Sequence, residues 1–296
     1  MDVRSNPLRV TLVMALMLVI SACTESYDLS LTYTSEGVPR GVLSIDNIDG
    51  SVRLQRGAVG SRVQGTLRIR ASGFDKEAQA KQAAEGVRIL ETVSAGALSL
   101  AVAIPAEHRN KTFSVTLDLT VPEGTEVSVT TDNGRISVNG LPVGVLDTTS
   151  GDVDLQFTSA VGTTTSTIKT NDGLVTVDSH DGPLDASTSN ADLRLFSING
   201  STRATTTNGF IEARIFPPEG GDIFLATTNN GIDLSLSSSF GAQLLAVTTE
   251  PGAIGIAANL RFTPRRTFPG QLEGVIGDGR GRIDVRTTVG DVFIGR

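Results

Sequence analysis

The chain has 296 residues, enough for one large or two modest domains, and only 4% of them are aromatic, with no Trp. With 32 Gly and abundant Thr and Ser, this composition favours thin β coils packed by Val, Ile and Leu over a thick globular core. A net charge of −7 and a pI near 4.9 argue against nucleic acid as a partner, because that binding rests on Lys and Arg neutralising phosphate. The single cysteine, Cys23, permits no intramolecular disulfide, and with only His108 and His180 no Cys/His zinc cluster can form.

At the N-terminus, Arg4 and Arg9 precede an apolar run from Val10 to Ile20. Its 11 residues suit a signal-peptide core and are too few to span a bilayer. The run ends Ile20-Ser21-Ala22-Cys23, which resembles the lipobox of bacterial lipoproteins. That resemblance implies removal of residues 1–22, with Ile20, Ser21 and Ala22 recognised by the signal peptidase and Cys23 lipidated. Acyl chains worth about 0.8 kcal/mol per buried methylene would then hold the protein on a membrane. Ordinary secretion with a chance cysteine is the alternative. Thr24 stands where inner-membrane-retained lipoproteins of enteric bacteria have Asp, so the resemblance implies a lipid-anchored envelope protein of the outer membrane.

Residues 23–40 read as the lipidated cysteine and a tether. Ser44 to Leu54 carries a short phrase, Asp49-Gly50-Ser51-Val52-Arg53-Leu54, that recurs later. Residues 61–70 alternate as a strand. Ser72 and Asp75 signal a helix start, residues 74–85 form the one convincing helix, and Gly86 suits its end. Strands are predicted at 87–93, 97–104 and 112–121, the last closed by Pro122-Glu123-Gly124. Residues 41–125 thus form a β-rich start to a solenoid, with the helix covering its end or one face.

From 126 to 296 the coils are regular. Thr130-Thr131-Asp132-Asn133-Gly134-Arg135-Ile136-Ser137-Val138 returns as Thr148-Thr149-Ser150-Gly151-Asp152-Val153-Asp154-Leu155, and again around Gly173, Ala191, Gly209, Gly231, Gly252 and Gly290. The first spacings are 17, 22, 18, 18 and 22 residues, the period of a solenoid whose coils stack one on the next. Strand alternation places Ile136/Val138, Val153/Leu155, Val175/Val177, Leu193/Leu195, Ile254/Ile256 and Val292/Ile294 inside, with Ser137, Asp154, Thr176 and Arg194 outside. The Gly231 coil is shifted by one, with Ile232 and Leu234 inward, which predicts a bulge or register adjustment there. Asn133, Asn171, Asn190, Asn208 and Asn230 mark the corners, where Asn and Gly tolerate left-handed backbone. The paired threonines suit strands through β-branching and cross-strand hydroxyl contacts. The expected fold is all-β: a single-stranded β-solenoid, drawn as a right-handed parallel β-helix, with one short helix near its N-terminal end.

The lipobox, the helix-bearing β start, the Thr-Thr-x-x-Gly coils and the closing run from Gly281 to Ile294 together resemble a bacterial family called "putative adhesin", made of repeat-coil envelope proteins. The resemblance covers about residues 41–296. It implies a β-solenoid and surface binding and carries no catalytic residues to transfer. Two departures stand out: Ala191 replaces a turn glycine, and residues 257–280 break the period.

Candidate chemistry is sparse. Asp147, Asp152, Asp154, Asp172, Asp178, Asp181, Asp185 and Asp192 face outward, as the carboxylate pairs of β-helical polysaccharide enzymes do, yet acids at coil turns are also ordinary caps. The glycine-and-aspartate template of calcium-binding repeats is absent, so no metal or cofactor is expected. Gly277-Asp278-Gly279-Arg280-Gly281 lacks the ending of a phosphate loop and reads as a tight turn into the last coil. His108 and His180 read as surface residues. Arg265-Arg266 beside Phe268 offers a small anion or headgroup contact, or a solvated loop. Residues 141–260 hold 13 acidic and 4 basic residues, whereas 261–296 hold 4 acidic and 7 basic. The functional expectation is a non-catalytic, lipid-anchored envelope protein presenting a rigid solenoid to an envelope protein or glycan. The alternatives are a carbohydrate-active enzyme using surface carboxylates, and a structural or stress-responsive envelope component with a protein partner.

Overall fold

The computed structural model describes residues 25–249 and 252–296. Short alternating segments separated by tight turns can bury their apolar side chains only by stacking, and they do so in two sheets, of 12 and 13 strands. Each regular coil contributes one parallel strand to each sheet. The side chains expected inside line the space between them: Val153, Leu155, Val175, Val177, Leu193 and Leu195 are fully buried. They form continuous ladders, with Val153 beside Val175, Val175 beside Leu193, and Leu193 beside Ile211. An all-β solenoid, with a single α-helix among the described residues, is therefore the observed architecture.

The corners explain the recurring glycine. A Cβ on Gly151, Gly173 or Gly209 would collide with the turn carbonyl of the preceding coil, belonging to Gly134, Gly151 and Ala191 respectively. These carbonyls also accept a hydrogen bond from a buried threonine. Thr170 Oγ1 donates to the Gly151 carbonyl at 3.0 Å, Thr188 to Gly173 at 3.1 Å, Thr206 to Ala191 at 3.0 Å and Thr227 to Gly209 at 2.8 Å. In each threonine pair one member is buried for this role and its neighbour is exposed. Asn47, opposite Thr131 in register, begins the column by donating to the Gly50 and Val115 carbonyls. The Ala191 corner keeps the same rung.

Several local expectations change. Residues 25–34, read as tether, form the strand Glu25–Thr34, because Tyr27, Leu29 and Tyr33 alternate with polar residues and pack on the core while the backbone pairs antiparallel with Gln64–Phe74. The helix is Glu77–Gly86, beginning three residues later than expected; Phe74 is instead the buried end of a strand, and Lys76 at the helix start makes no side-chain cap. Its apolar face, Ala80, Ala83 and Ala84, is buried at helical spacing. The predicted irregularity at Gly231 is absorbed in the turn, since Ile211 to Ile215 pairs without a shift against Ile232 to Leu236. A column of bulges lies elsewhere: Phe157, Ser179 and Ser197 all have positive φ at one level of three successive coils. Each bulge resets the alternation, so that Thr158, His180 and Ile198 turn inward.

Both ends depart from simple stacking. Residues 58–125 leave the first coil and extend both sheets outward: Ala97–Ala103 and Thr112–Pro122 pair parallel with it, Arg88–Ser94 and Gln64–Phe74 pair antiparallel beyond them, and the helix packs against Gln64–Phe74 and Glu25–Thr34. At the other end the last coil returns. Its strands Gly281–Thr287 and Val292–Gly295 lie between the coil of Asp222–Thr227 and Ile232–Leu236 and the coil of Ala242–Thr248 and Ile254–Ile256. At a strand spacing of about 4.8 Å the 12-stranded sheet makes a rod roughly 50 Å long, with Glu25–Thr34 at one edge and Ile254–Ile256 at the other.

The inward register is testable at neighbouring residues. Val175→Asp buries an unpaired carboxylate and is expected to cost several kcal/mol, whereas Thr176→Asp, facing solvent, should change stability by no more than about 0.5 kcal/mol. Equal melting temperatures would show that the register is wrong.

Candidate functional site

Outward side chains of neighbouring parallel strands stand side by side, so the outer face of the 13-stranded sheet reads as rows across the rod. One row runs Asp185, Arg203, Phe224, Asp284, each the register partner of the next. The Arg203 guanidinium lies over the Phe224 ring, 4.4 Å from its centroid. Around this row a trough of about 480 Å³ is bounded by Asp185, Ser201, Arg203, Asp222, Phe224 and Arg282. A second, of about 440 Å³, shares Asp222 and Arg282 and continues toward the end of the rod past Gln243, Arg265, Glu273 and Arg280.

Asp284 organises the floor. It is 4% exposed although it points outward, and both its carboxylate oxygens are engaged. Arg286 donates to them at 2.6 and 2.8 Å, and Arg282 reaches one at 3.5 Å. The sequence Arg282-Ile283-Asp284-Val285-Arg286 makes this automatic, since strand alternation puts all three charges on one face. The bidentate bond holds the Arg286 guanidinium above its already high ordinary value. Among the described residues neither Arg203 nor Arg265 has an acid within ion-pairing distance. The trough thus offers donors and acceptors with acids and bases interspersed around the fixed Asp284 carboxylate.

The aspartates singled out from the sequence mostly serve the coils. Asp152 accepts the Leu174 N–H at 2.9 Å and Asp192 the Phe210 N–H at 2.8 Å, each from the next coil. Asp154 is held by Arg135 at 2.9 Å. Asp172 accepts from Asn190, Asn190 from Asn208 at 2.7 Å, and Asn208 from Asn229 at 2.6 Å, making an amide ladder. Asn229, not the expected Asn230, is its last member; Asn230 instead accepts its neighbour Gly231 N–H. Only Asp185 of the predicted set lines the trough. Arg265 lines its continuation, while Arg266 approaches Glu273 at 4.0 Å. Ile20, Ser21, Ala22 and Cys23 lie outside the described residues. No group of three or more His, Cys, Asp or Glu suited to a metal ion occurs among the described residues.

His180 corrects the surface assignment: it is fully buried, because the Ser179 bulge turns it inward. Its Nδ1 shares a 2.9 Å hydrogen bond with Thr158 Oγ1, and its Nε2 has no partner in hydrogen-bonding geometry. His108 is half-buried, edge-on to Phe74 at 5.5 Å. Burial pushes the His180 imidazole below its ordinary 6.5, against smaller opposing influences of the Pro183 backbone and Asp181.

Fold and surface together define a two-sheeted β-solenoid that displays rows of fixed side chains across its coils. The chain belongs to the Toastrack DUF4097 family, whose profile matches residues 100–295. It is similar to the solved structure of a putative adhesin from Bacteroides fragilis NCTC 9343, at 11% identity over 90% of this chain and 97% of that one, with a TM-score of 0.44. A putative adhesin from Parabacteroides distasonis ATCC 8503 is similar at 12% identity over 91% and 97%, with a TM-score of 0.36. A putative cell adhesion protein from Clostridium sporogenes ATCC 15579 is similar at 11% identity over 92% and 99%, with a TM-score of 0.26. No curated protein matches the sequence.

The buried histidine makes stability depend on pH. With the folded value depressed, both states are neutral above about 6.5, and as pH falls below it the unfolded chain takes up the proton first. Stability is therefore expected to fall with pH below 6.5, until the folded-state value is reached. His180→Ile, which copies Ile198 at the same level of the next coil, should remove this component. Identical pH dependence in denaturant titrations of the two proteins would count against a depressed His180.

Proposed function

We propose that the protein is a lipid-anchored envelope component, non-catalytic, whose solenoid presents a rigid polar surface for binding, with the trough around Arg203, Phe224 and Arg282 as the contact surface. The observation that carries this reading is the trough itself: it crosses several coils, and most of its residues stand on or beside strands whose backbones are held by parallel ladders. The lipobox-like segment ending at Cys23 supports the anchor. No helix among the described residues is long and apolar enough to cross a membrane. Glu25–Thr34, the strand next to that segment, lies at one edge of the rod, and the trough begins about six strands, roughly 30 Å, along it. An anchor at Cys23 would hold the trough away from the lipid surface. The similar proteins named as adhesins are in keeping with surface binding by this chain. The enzyme alternative draws less support, because Asp152, Asp154, Asp172 and Asp192 are already committed to coil contacts.

Two measurements test the two halves. Cys23→Ala should leave the protein in the soluble fraction after a salt wash; a variant still in the membrane fraction sinks the anchor. The intact protein, used to capture envelope components from its own cells, should lose capture about tenfold with Arg203→Ala and Phe224→Ala combined, the effect of about 1.4 kcal/mol. Undiminished capture by that folded variant would move the binding surface elsewhere.

A further inference from the structure

The last coil sits out of sequence order, and both its neighbours are built to receive it. In one sheet Ile283 is flanked by Ile223 and Leu244, and Val285 by Leu225 and Ala246. In the other, Val292 lies between Ile232 and Ile254. The threonine column runs through it on both sides: Thr287 Oγ1 donates to the Asn230 carbonyl at 2.6 Å, and Thr248 Oγ1 to the Gly290 carbonyl at 2.7 Å. Yet the flanking coils are successive in the chain. Gly231 and Gly252 are 21 residues apart, within the range of the other turn spacings, and space is left between them for a coil that is made later.

The inserted coil is also self-contained. Its one buried charge, Asp284, is neutralised by Arg282 and Arg286 of the same strand, so the coil can enter or leave without stranding a charge in the slot. What ties it to the rest of its own chain is the short crossing at Gly277-Asp278-Gly279-Arg280. This segment passes over the start of Ala242–Thr248, where a Cβ on Gly241 would strike Asp278. Gly277 and Gly279 have positive φ there, which glycine adopts without strain. Arg280 pairs with Glu219 and Asp278, and all three side chains are more than half exposed, so these pairs hold the crossing weakly.

We propose that the C-terminal coil, Gly281 to Gly295, exchanges between copies of this chain, each copy's slot receiving the coil of another. A second copy is the occupant because the slot is matched to this one sequence: Ile283, Val285, Val292 and Ile294 fill its interior, and Thr287 supplies its rung. Exchange remakes every contact within the slot and changes only the path of the four-residue crossing, the condition under which swapping costs little. Reciprocal exchange gives a closed dimer; one-way exchange gives a chain of linked copies.

The test uses the full chain with Cys23→Ser, so that an engineered pair supplies the only thiols. Asp233→Cys and Phe293→Cys are register partners on the outer face, at the separation of adjacent strands that a disulfide can bridge. Two differently tagged versions are unfolded together, refolded at increasing concentration and oxidised. The expected result is a disulfide-linked dimer carrying both tags, its fraction rising with concentration. Internal disulfides alone at every concentration overturn the proposal. In a second variant, deletion of residues 278–280 leaves the coil too short a tether to reach its own slot, so a folded dimer is expected. A folded monomer of that variant also overturns the proposal, and if it does not fold, the cysteine pair decides.

Discussion

The stack depends on a close approach of backbones at one corner. Each coil brings its turn carbonyl against the turn of the next, where only a glycine or a small residue fits, and a buried threonine hydroxyl from that next coil meets it. A buried carbonyl left unpaired costs about 1–3 kcal/mol, so the pairing fixes the height at which one coil sits on another. Once that height is set, the parallel ladders, the inward columns of Val, Leu and Ile, and the outward rows of charges follow from strand alternation. The corner also fixes the outer amide ladder from Asp172 to Asn229, which lies one step further toward solvent.

Much of this was legible in the sequence because the repeat states it many times. The glycine period gave the coils, and the pairs such as Val153 and Leu155 gave the core face. What stayed hidden depends on contacts between segments far apart. Glu25–Thr34 resembles a polar tether until Gln64–Phe74 is seen beside it. The inward turn of His180 follows from positive φ at Ser179, a residue type with no strong preference for that backbone. Asp284 looks like any outward acid, and its burial comes from two arginines of its own strand and from neighbours contributed by Phe224 and Leu245. The return of the last coil is invisible locally, because its turn signature is the same as that of coils stacked in order. The break in period at residues 257–280 is its only trace.

The trough illustrates how a repeat fold makes a site. No single coil contains it. Asp185, Arg203, Phe224 and Asp284 come from four strands, and two of these are neighbours only because the last coil is inserted next to Asp222–Thr227. Both Arg282 and Asp284 reach the trough on that coil, so the unusual topology and the candidate binding surface share a cause. The proposed anchor would join the rod toward the opposite edge, beside Glu25–Thr34. Such a surface needs little backbone ordering when it binds, since its strands are already paired on both sides.

The corner account is tested most directly by one pair of isosteric changes. Thr206 is buried, donates to the Ala191 carbonyl at 3.0 Å and accepts the Gly209 N–H at 3.2 Å, whereas its neighbour Thr207 is exposed. In denaturant unfolding, Thr206→Val should lower stability by about 1–3 kcal/mol, the cost of leaving buried partners unpaired. Thr207→Val should stay within about 0.5 kcal/mol of the parent. Two variants of equal stability would contradict the claim that the threonine column holds the coils in place.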